Sequence, residues 1–300
     1  MTARASAIDA RGSGRVVRHY ILIGYVVTIG VIAAGTLWFP FHDSRLASLG
    51  VTLGYYALVW MLCGLFLGDV VHLALAHKAM EVKPWFLYLI MILNNTLGCY
   101  LNLVTWCNRH RLHHLYADHV GDPNKRPEDG FWVTFYRSQF AYPSIAELTK
   151  EPIFATWPVR VFNNTAYALL SQVTSFLFAW WLVGDWRLAL VLWVGIRAIA
   201  MYIHWIQNYW AHDRRFGTRR HDDEDNAMNI VHWLPVLLSF SACLQNNHHH
   251  APRFIRLSHS NDEPDWGFVT LRWLYKLGVV TPTEAGLKIP EGADLTEVGL

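Results

Sequence analysis

Charged residues are scarce in this chain of 300 residues: 16% are Asp, Glu, Lys or Arg, whereas 53% are hydrophobic. The mean hydropathy is positive, at +0.18, and this combination is typical of a membrane protein. The net charge is only +2, and no basic stripe of the kind that binds nucleic acid is present. The composition favours a membrane protein and gives no support to a nucleic-acid-binding one.

Cysteine is also rare, and no two of the four cysteines form a C-x-x-C pair. Most of them lie in or beside apolar stretches, where cysteine acts as a small buried hydrophobe rather than as a disulfide partner. A clear cleavage site is missing as well, since four arginines between positions 4 and 18 precede a long apolar run. We therefore expect a cytoplasmic tail and a first membrane span rather than a removed signal peptide.

Five apolar stretches compete as membrane helices, each of which needs about 20 apolar residues to cross. They cover about residues 19–41, 46–68, 85–106, 162–184 and 186–207. The first two are joined near residues 42–45 and the last two near Gly184–Asp185, so each pair forms a hairpin. We predict one all-α integral membrane domain, residues 1–300, with four transmembrane helices in two hairpins. An interfacial helix at 85–106 and a cytoplasmic helical cap, formed by the metal-binding regions 69–160 and 208–300, complete it.

The stretch at 85–106 decides the topology. If it crossed the membrane, His72 and His77 would lie on the opposite side from the histidines at 110–114, and no metal centre could contain both sets. It also contains three asparagines, so we expect it to lie at the membrane interface, or to be buried as a re-entrant helix, rather than to span the membrane. Four spans then put both termini and nearly all Lys and Arg residues on one side, which the positive-inside rule makes the cytoplasm.

Histidine is abundant, and half of the 16 histidines fall into clusters with metal-ligand spacing. The clusters are His72 with His77; His110 with His113 and His114; Asn208 with His212; and Gln245 with His248 and His249. Because residues three and four apart share one face of a helix, each of the last three clusters points into one site. Neutral imidazole binds iron, copper, zinc and nickel, and eight histidines exceed what one tetrahedral ion can use. The spacing predicts a centre of two metal ions.

His72 and His77 are five residues apart and diverge on an ideal α-helix, so we expect either that each serves a different metal ion or that the helix ends between them. Seven further histidines are expected not to bind metal: His19, His42, His119, His221, His232, His250 and His259. Among these, His250 extends the last cluster and could replace a neighbour after a shift of one residue. The acidic run that follows His221 is expected to be a solvated loop.

These segments resemble the membrane fatty-acid desaturase family, close to its acyl-CoA (stearoyl-type) members, over about residues 50–275. Asn108–Asp118, followed by Asp122–Asn124, is similar to the second histidine box and its acidic segment. Trp205–His212 resembles the stretch with an additional histidine and a water-holding asparagine. Gln245–His249 resembles the third box, H-N-N-H-H.

The resemblance implies a non-haem diiron centre in which the eight clustered histidines and Gln245 hold two iron ions and Asn208 holds a water. It implies an oxidoreductase that uses O2 and two electrons to introduce a double bond into a fatty acyl chain, with the metals supplying the oxidant. The chain would be carried by CoA, an acyl carrier protein or a lipid. Electrons would come from ferredoxin, rubredoxin or a b-type cytochrome, at a bacterial cytoplasmic membrane or, as second choice, the endoplasmic reticulum.

Several positions depart from the acyl-CoA members of the family. Gln245 replaces the first histidine of the third box, so the ninth ligand is left open. Asn108–Arg109 replaces an Arg-Asp pair of the surface that contacts CoA, so the acyl carrier is left open as well.

The acyl tunnel of the family corresponds to five positions here: Tyr56, Trp60, Tyr100, His204 and Trp205. Tyr56 and Trp60 stand where the family's tunnel ends, and two aromatic side chains there predict a shorter tunnel and a medium-length acyl chain. The alternative is that both simply pack between spans. Tyr100 and His204 replace residues beside the family's substrate kink, so the position of the oxidised bond cannot be carried over.

Two other reactions could occur at the same site. An oxidant that abstracts hydrogen from an acyl chain can lead to hydroxylation or to a triple bond instead of a double bond. A histidine-rich metal transporter is a distant alternative. Transport sites usually place polar ligands near the bilayer midplane, whereas these clusters lie at the predicted cytoplasmic ends of the spans.

Overall fold

The computed structural model describes residues 10–38, 43–140 and 148–300 of the chain. Within these ranges the structure is helical apart from one small sheet. The α-helices are α1 Ala10–Leu37, α2 Arg45–Cys63, α3 Pro84–Leu97, α4 Leu103–Tyr116, α5 Phe131–Phe140, α6 Trp157–Phe162, α7 Thr165–Val183, α8 Trp186–Asn208, α9 Trp233–Leu238, α10 Gln245–His250, α11 Trp266–Lys276 and α12 Glu284–Leu287. A π-helix, Gly64–Ala76, continues α2, and short 3-10 helices cover Pro152–Ala155 and Trp210–His212.

Among the described residues, three helical segments are long and apolar enough to cross a membrane: Arg45–Ala76, Thr165–Val183 and Trp186–His212. They overlap the predicted spans at 46–68, 162–184 and 186–207. In the first predicted span, the shorter apolar part Leu22–Leu37 belongs to α1, while residues 39–42, which hold the predicted end of that span and His42, lie outside the described residues.

The second predicted hairpin turns where the sequence indicates. Gly184 ends α7 in the left-handed conformation, with φ 72°, which glycine adopts without steric cost. Asp185 then caps α8, because its carboxylate accepts hydrogen bonds from the backbone N–H groups of Arg187 and Leu188. The turn at Gly184–Asp185 is confirmed.

The predicted single helix at 85–106 is wrong in its extent. Helix α3 ends at Leu97 and α4 begins at Leu103. The side-chain amide of Asn95 donates to the carbonyl of Leu101, and its oxygen accepts from the N–H of the same residue, so the asparagine holds the intervening loop. Asn102 caps α4 through a bond from the N–H of Thr105. Helix α3 alone extends about 21 Å, which is less than the thickness of the hydrocarbon core.

A small antiparallel sheet ties the end of the chain to the segment after the first histidine cluster. Strand β1, Met80–Val82, pairs with β2, Val280–Pro282, with Glu81 opposite Thr281. Helix α11 packs on the π-helix through buried Phe268, Leu271 and Leu274, and the Thr270 hydroxyl donates to the buried Asp69 carboxylate at 2.7 Å. These contacts fix the helix that carries His72.

Arg197 lies in the middle of α8 and has polar partners within the bundle. Its guanidinium donates to the side-chain oxygens of Gln172 and Ser175 at 2.9 and 3.1 Å. It also lies 3.6 Å from the centre of the Trp193 ring, a cation–π contact. A charge in an apolar helix is costly unless it is paired, and here the neighbouring helix α7 supplies the pairing.

Gly64, the first residue of the π-helix, leaves no room for a side chain. A Cβ atom at this position would collide with the ring of Phe240, whereas a Cβ atom at Gly54 in α2 would have no neighbour within 4 Å among the described residues. We expect Gly64→Ala to destabilise the protein by about 1–3 kcal/mol through overpacking. Thermal unfolding in detergent should show a lower midpoint for Gly64→Ala than for the control Gly54→Ala. Equal midpoints for the two variants would contradict this account of the contact.

Candidate metal centre

Two groups of histidines converge between the helices. The ring nitrogens of His72, His77, His110 and His248 lie within 4.8 Å of one another, and so do those of His113, His212 and His249. The elements that supply them are the π-helix, α4, the segment after α8, and α10. Every histidine of the four predicted clusters, except for His114, belongs to one of these two groups.

The winding of the π-helix brings His72 and His77 together. A π-helix bonds residue i to residue i+5, and the N–H of His77 donates to the carbonyl of His72 at 3.1 Å. Their ring centres are 5.0 Å apart, and both belong to the same group. The rings would diverge on an ideal α-helix, but the π winding brings them into one group. The helix also ends at Ala76, between the two residues, which is one of the two alternatives that the spacing predicts.

His114 lies between the two groups. Its Nε2 is 3.1 Å from Nε2 of His110 and 2.9 Å from Nε2 of His248. Its ring centre is also 4.4 Å from that of His249 in the second group. His110, His113 and His114 all lie on α4, so one rigid helix contributes to both groups.

The spacing of the ring nitrogens fits a bound metal ion. Nε2 of His72 is 2.9 Å from Nε2 of His248, and Nε2 of His77 is 2.8 Å from Nε2 of His110. Two nitrogens at right angles on one ion, each about 2.1 Å from it, would be about 3 Å apart. The first group thus has the separations of neighbouring ligands around one ion.

Each histidine of the second group is held by a carboxylate. Nδ1 of His113 is 2.9 Å from Asp122, Nδ1 of His212 is 2.9 Å from Asp118, and Nδ1 of His249 is 2.8 Å from Asp225. Such pairs place the proton on Nδ1 and leave the lone pair of Nε2 free for a metal ion. Nε2 of His249 is buried and has no hydrogen-bond partner among the described residues. The donor set fits a metal cofactor.

The electrostatics keep these histidines in the form that binds metal. Burial, followed by the neighbouring imidazoles, lowers the pKa of His77, His110, His114 and His248 well below the usual value. Burial also lowers the pKa of His249, to about 4, despite the opposing effect of Asp225. All five rings are therefore neutral at pH 7, as metal ligation requires.

The carboxylates of these pairs are ionised. Burial alone would raise the pKa of Asp225, but the hydrogen bond from His249 and other favourable interactions outweigh it and lower the pKa to about 2. For Asp118 burial is likewise opposed by His212, and the pKa falls below its ordinary value. The negative charges that orient the second group persist at neutral pH.

These carboxylates are the main residues of the site whose role the histidine spacing did not reveal. The predicted solvated loop after His221 needs a correction: the side chain of Asp222 is 99% exposed, but Asp225 holds His249 and His221 is buried. For Asp118 and Asp122, the similarity of their segment to the family's acidic segment was the available signal.

Gln245 and Asn208 are close to the histidines but are not members of either group. The side-chain amide of Gln245 donates to the carbonyl of Ala242, and that of Asn208 donates to the carbonyl of His204 at 2.9 Å. Both side chains border the cavity described below. Their predicted roles as ligand and water holder remain predictions.

Most of the histidines expected not to bind metal have other partners. His119 bonds the carbonyl of Ala117, and His232 caps α9. His221 is stacked on His250, with ring centres 3.7 Å apart, and bonds His259 at 2.8 Å. His250 thus belongs to a cluster separate from the two groups and does not replace a neighbour in either of them. His42 lies outside the described residues, and the structure does not describe the side chain of His19.

A cavity of about 340 Å³ leads from the histidines into the helical bundle. His72, His110, His113 and His212 border it, together with apolar side chains of the long helices such as Leu67, Ile196, Ile199 and Ile203. Of the predicted tunnel residues, Trp60, Tyr100 and His204 line the cavity. Tyr56 and Trp205 lie outside this lining: Tyr56 is buried next to Gly195, and Trp205 stacks on Phe131.

Comparisons with known proteins agree with this site. The family model for fatty acid desaturase matches residues 46–261, which include all eight clustered histidines. The chain is similar to the sn-1 stearoyl-lipid 9-desaturase of Anabaena variabilis, with 29% identity over 242 residues that cover 78% of this chain and 83% of the relative.

Two further relatives differ in their substrates. The Delta-9 acyl-lipid desaturase 2 of Arabidopsis thaliana is 27% identical over 262 residues, covering 83% of this chain and 76% of the relative. The "Hex-5-enoyl-[acyl-carrier protein] acetylenase" of Moorena producens (strain JHB) is 25% identical over 281 residues, covering 88% and 84%. The similarity thus spans enzymes that form double bonds and one that forms triple bonds.

The carboxylate behind His249 should control how tightly the second group holds metal. We expect Asp225→Ala to lower the metal affinity about 10–100-fold, because His249 loses the group that orients its ring. Asp222→Ala is the matched control, since it removes a carboxylate of the same loop whose side chain is 99% exposed. Metal retained against increasing chelator concentration measures the effect. Equal retention by the two variants would show that Asp225 does not support the site.

Proposed function

Because this chain belongs to the fatty acid desaturase family, whose model matches residues 46–261, we propose that it is an O2-dependent diiron desaturase that introduces a double bond into a fatty acyl chain. The main supporting observation is that eight histidines from four parts of the chain converge beside a largely apolar cavity, which four of them border. An apolar acyl chain fits such a cavity, and a buried set of neutral imidazoles fits metal ions.

In this proposal the first iron site is formed by His72, His77, His110 and His248, the second by His113, His212 and His249, with His114 between them. Two bound iron ions would supply the strong oxidant that O2 activation and C–H cleavage require. The protein's own residues do the rest. Asp118, Asp122 and Asp225 fix the imidazole rings, and the cavity walls hold the chain against the histidines and exclude water.

Formation of a triple bond is the second candidate reaction. The observation in its favour is the acetylenase among the relatives, whose similarity covers more of this chain than that of the Anabaena variabilis desaturase. Both reactions remove hydrogen from neighbouring carbons of an acyl chain, so one site can serve either.

For the acyl carrier we favour a lipid or an acyl carrier protein over CoA. The named relatives act on acyl-lipids and on an acyl-carrier-protein substrate. The two positions that replace the family's CoA-contacting pair are also engaged internally. The Asn108 oxygen accepts from the N–H groups of Leu148 and Thr149, and the buried Arg109 donates to Asn124 and to the carbonyl of Pro123.

The three apolar helices and the family match identify a membrane protein. We place it in the membrane with four spans, α1, α2 with the π-helix, α7 and α8, in a single domain. The short helix α3 then lies at the interface, and both termini and the histidines face the cytoplasm of a bacterial cell. An electron donor such as ferredoxin, rubredoxin or a b-type cytochrome would deliver two electrons on that side.

The reaction can be tested on protein purified in detergent from iron-supplemented cells. We expect about two iron ions per chain and a new double bond in added acyl-lipids or acyl-carrier-protein thioesters, given O2, ferredoxin and a reductant. His249→Ala should retain membrane insertion but lose iron and turnover, because its unpaired Nε2 is the proposed ligand atom. A triple-bonded product would favour the second candidate reaction. An iron-free wild-type protein without any oxidised product would refute both.

The length of the acyl chain should depend on Trp60. This residue lines the cavity, and its indole N–H donates to the carbonyl of Leu237 at 3.0 Å, which holds the ring in place. We expect Trp60→Ala to lengthen the preferred acyl chain, as measured by product analysis over thioesters of increasing length. Trp181→Ala, at a side chain that is 78% exposed on α7, is the control. An unchanged length profile in Trp60→Ala would show that Trp60 only packs between helices.

A further inference from the structure

Helix α11 has two apolar faces. Phe268, Leu271 and Leu274 form the buried face, which packs against the π-helix. The opposite face carries Trp266, Val269, Trp273 and Leu277, which are 43%, 45%, 63% and 71% exposed. Their spacing of three, four and four residues places them in one continuous stripe along the helix and its end. A stripe of large exposed apolar side chains marks an interaction surface.

Basic residues border this stripe on one side. Arg272 and Lys276 are both exposed, and because they are four residues apart they lie along the same edge of the helix. The Lys276 ammonium is 5.5 Å from the centre of the Trp273 ring. Tryptophan on an apolar face with Lys or Arg at its edge is the composition of helices that lie in the membrane interface.

Helix α11 packs directly on the end of a candidate membrane span. The buried face of α11 packs with Leu73 and Ala74, which belong to the long apolar segment Arg45–Ala76. Phe86 of α3 packs against the same cluster. On its outer side α3 exposes Trp85 and Leu89, which are 56% and 46% exposed.

From these observations we propose that the outer face of α11 rests on the membrane surface and that its partner is lipid. The stripe lies deep enough to contact acyl chains, while Arg272 and Lys276 reach the headgroups. Helices α3 and α11 together then seat the histidine-bearing part of the chain on the bilayer. The packing of α11 on the end of a candidate span, the exposed apolar residues of the neighbouring α3 and the basic edge favour lipid over a second protein chain. The proposal does not depend on the reaction.

Collision measurements on nitroxide labels test this directly. The labels are attached at Val269→Cys and Trp273→Cys in protein reconstituted into vesicles of phosphatidylcholine and phosphatidylglycerol. Val173→Cys on α7, at a side chain that is 53% exposed, is the lipid control, and Glu291→Cys, at an exposed position near the C-terminus, is the water control. Wild-type protein exposed to the label gives the background from the native cysteines.

We expect the labels at 269 and 273 to resemble the label at 173. Their collisions with O2 should be frequent, and their collisions with chromium oxalate should be at least about tenfold rarer than at 291, because a trianion is excluded from the apolar layer. Collision rates equal to those at 291 would overturn the proposal. Protection from both reagents would overturn it too, because it would show that protein covers the stripe. Val269→Cys alone decides the question if Trp273→Cys does not fold.

Discussion

The rest of the structure depends on the close approach of neutral imidazoles in a buried space. Nε2 atoms of His72 and His248, and of His77 and His110, stand 2.8–2.9 Å apart. A neutral imidazole has one N–H donor and one lone pair. Closely packed imidazoles therefore cannot make as many hydrogen bonds with one another as they would make with water. Burying them is costly, and a metal ion that accepts several lone pairs at once offsets that cost. The helices are arranged to keep these nitrogens together.

Two local features make this approach geometrically feasible. The π-helix aligns residues five apart, so that His72 and His77 face one point, and Gly64 lets Phe240 pack against the start of that helix. Helix α4 remains regular and directs His110 to one group and His113 to the other. One irregular and one regular helix therefore contribute histidines to the two groups.

Much of the site could be predicted from the sequence because its key residues follow helical spacing. The histidines of the three clusters with spacings of three and four residues converge in the structure, although they divide between two groups and Asn208 and Gln245 belong to neither. The turn at Gly184–Asp185 follows from glycine and aspartate chemistry. The pairing of His72 with His77 could not be predicted from α-helical geometry, since nothing in apolar periodicity distinguishes π from α winding. The break at Gly98–Asn102 also escaped prediction, because it depends on side-chain bonds of Asn95 to the backbone of Leu101.

The carboxylates show that contacts between residues far apart in the chain cannot be predicted from the spacing of the histidines. Asp118 follows α4 in the left-handed region, with φ 62°, and its carboxylate reaches both His212 and the N–H of Asn226 at 2.9 Å. These partners are 94 and 108 residues away in the chain. The same side chain thus connects the end of α4, the end of α8 and the segment that carries Asp225. Because Asp225 in turn orients His249, a displacement of any one of these segments would disturb two of the three histidines in the second group.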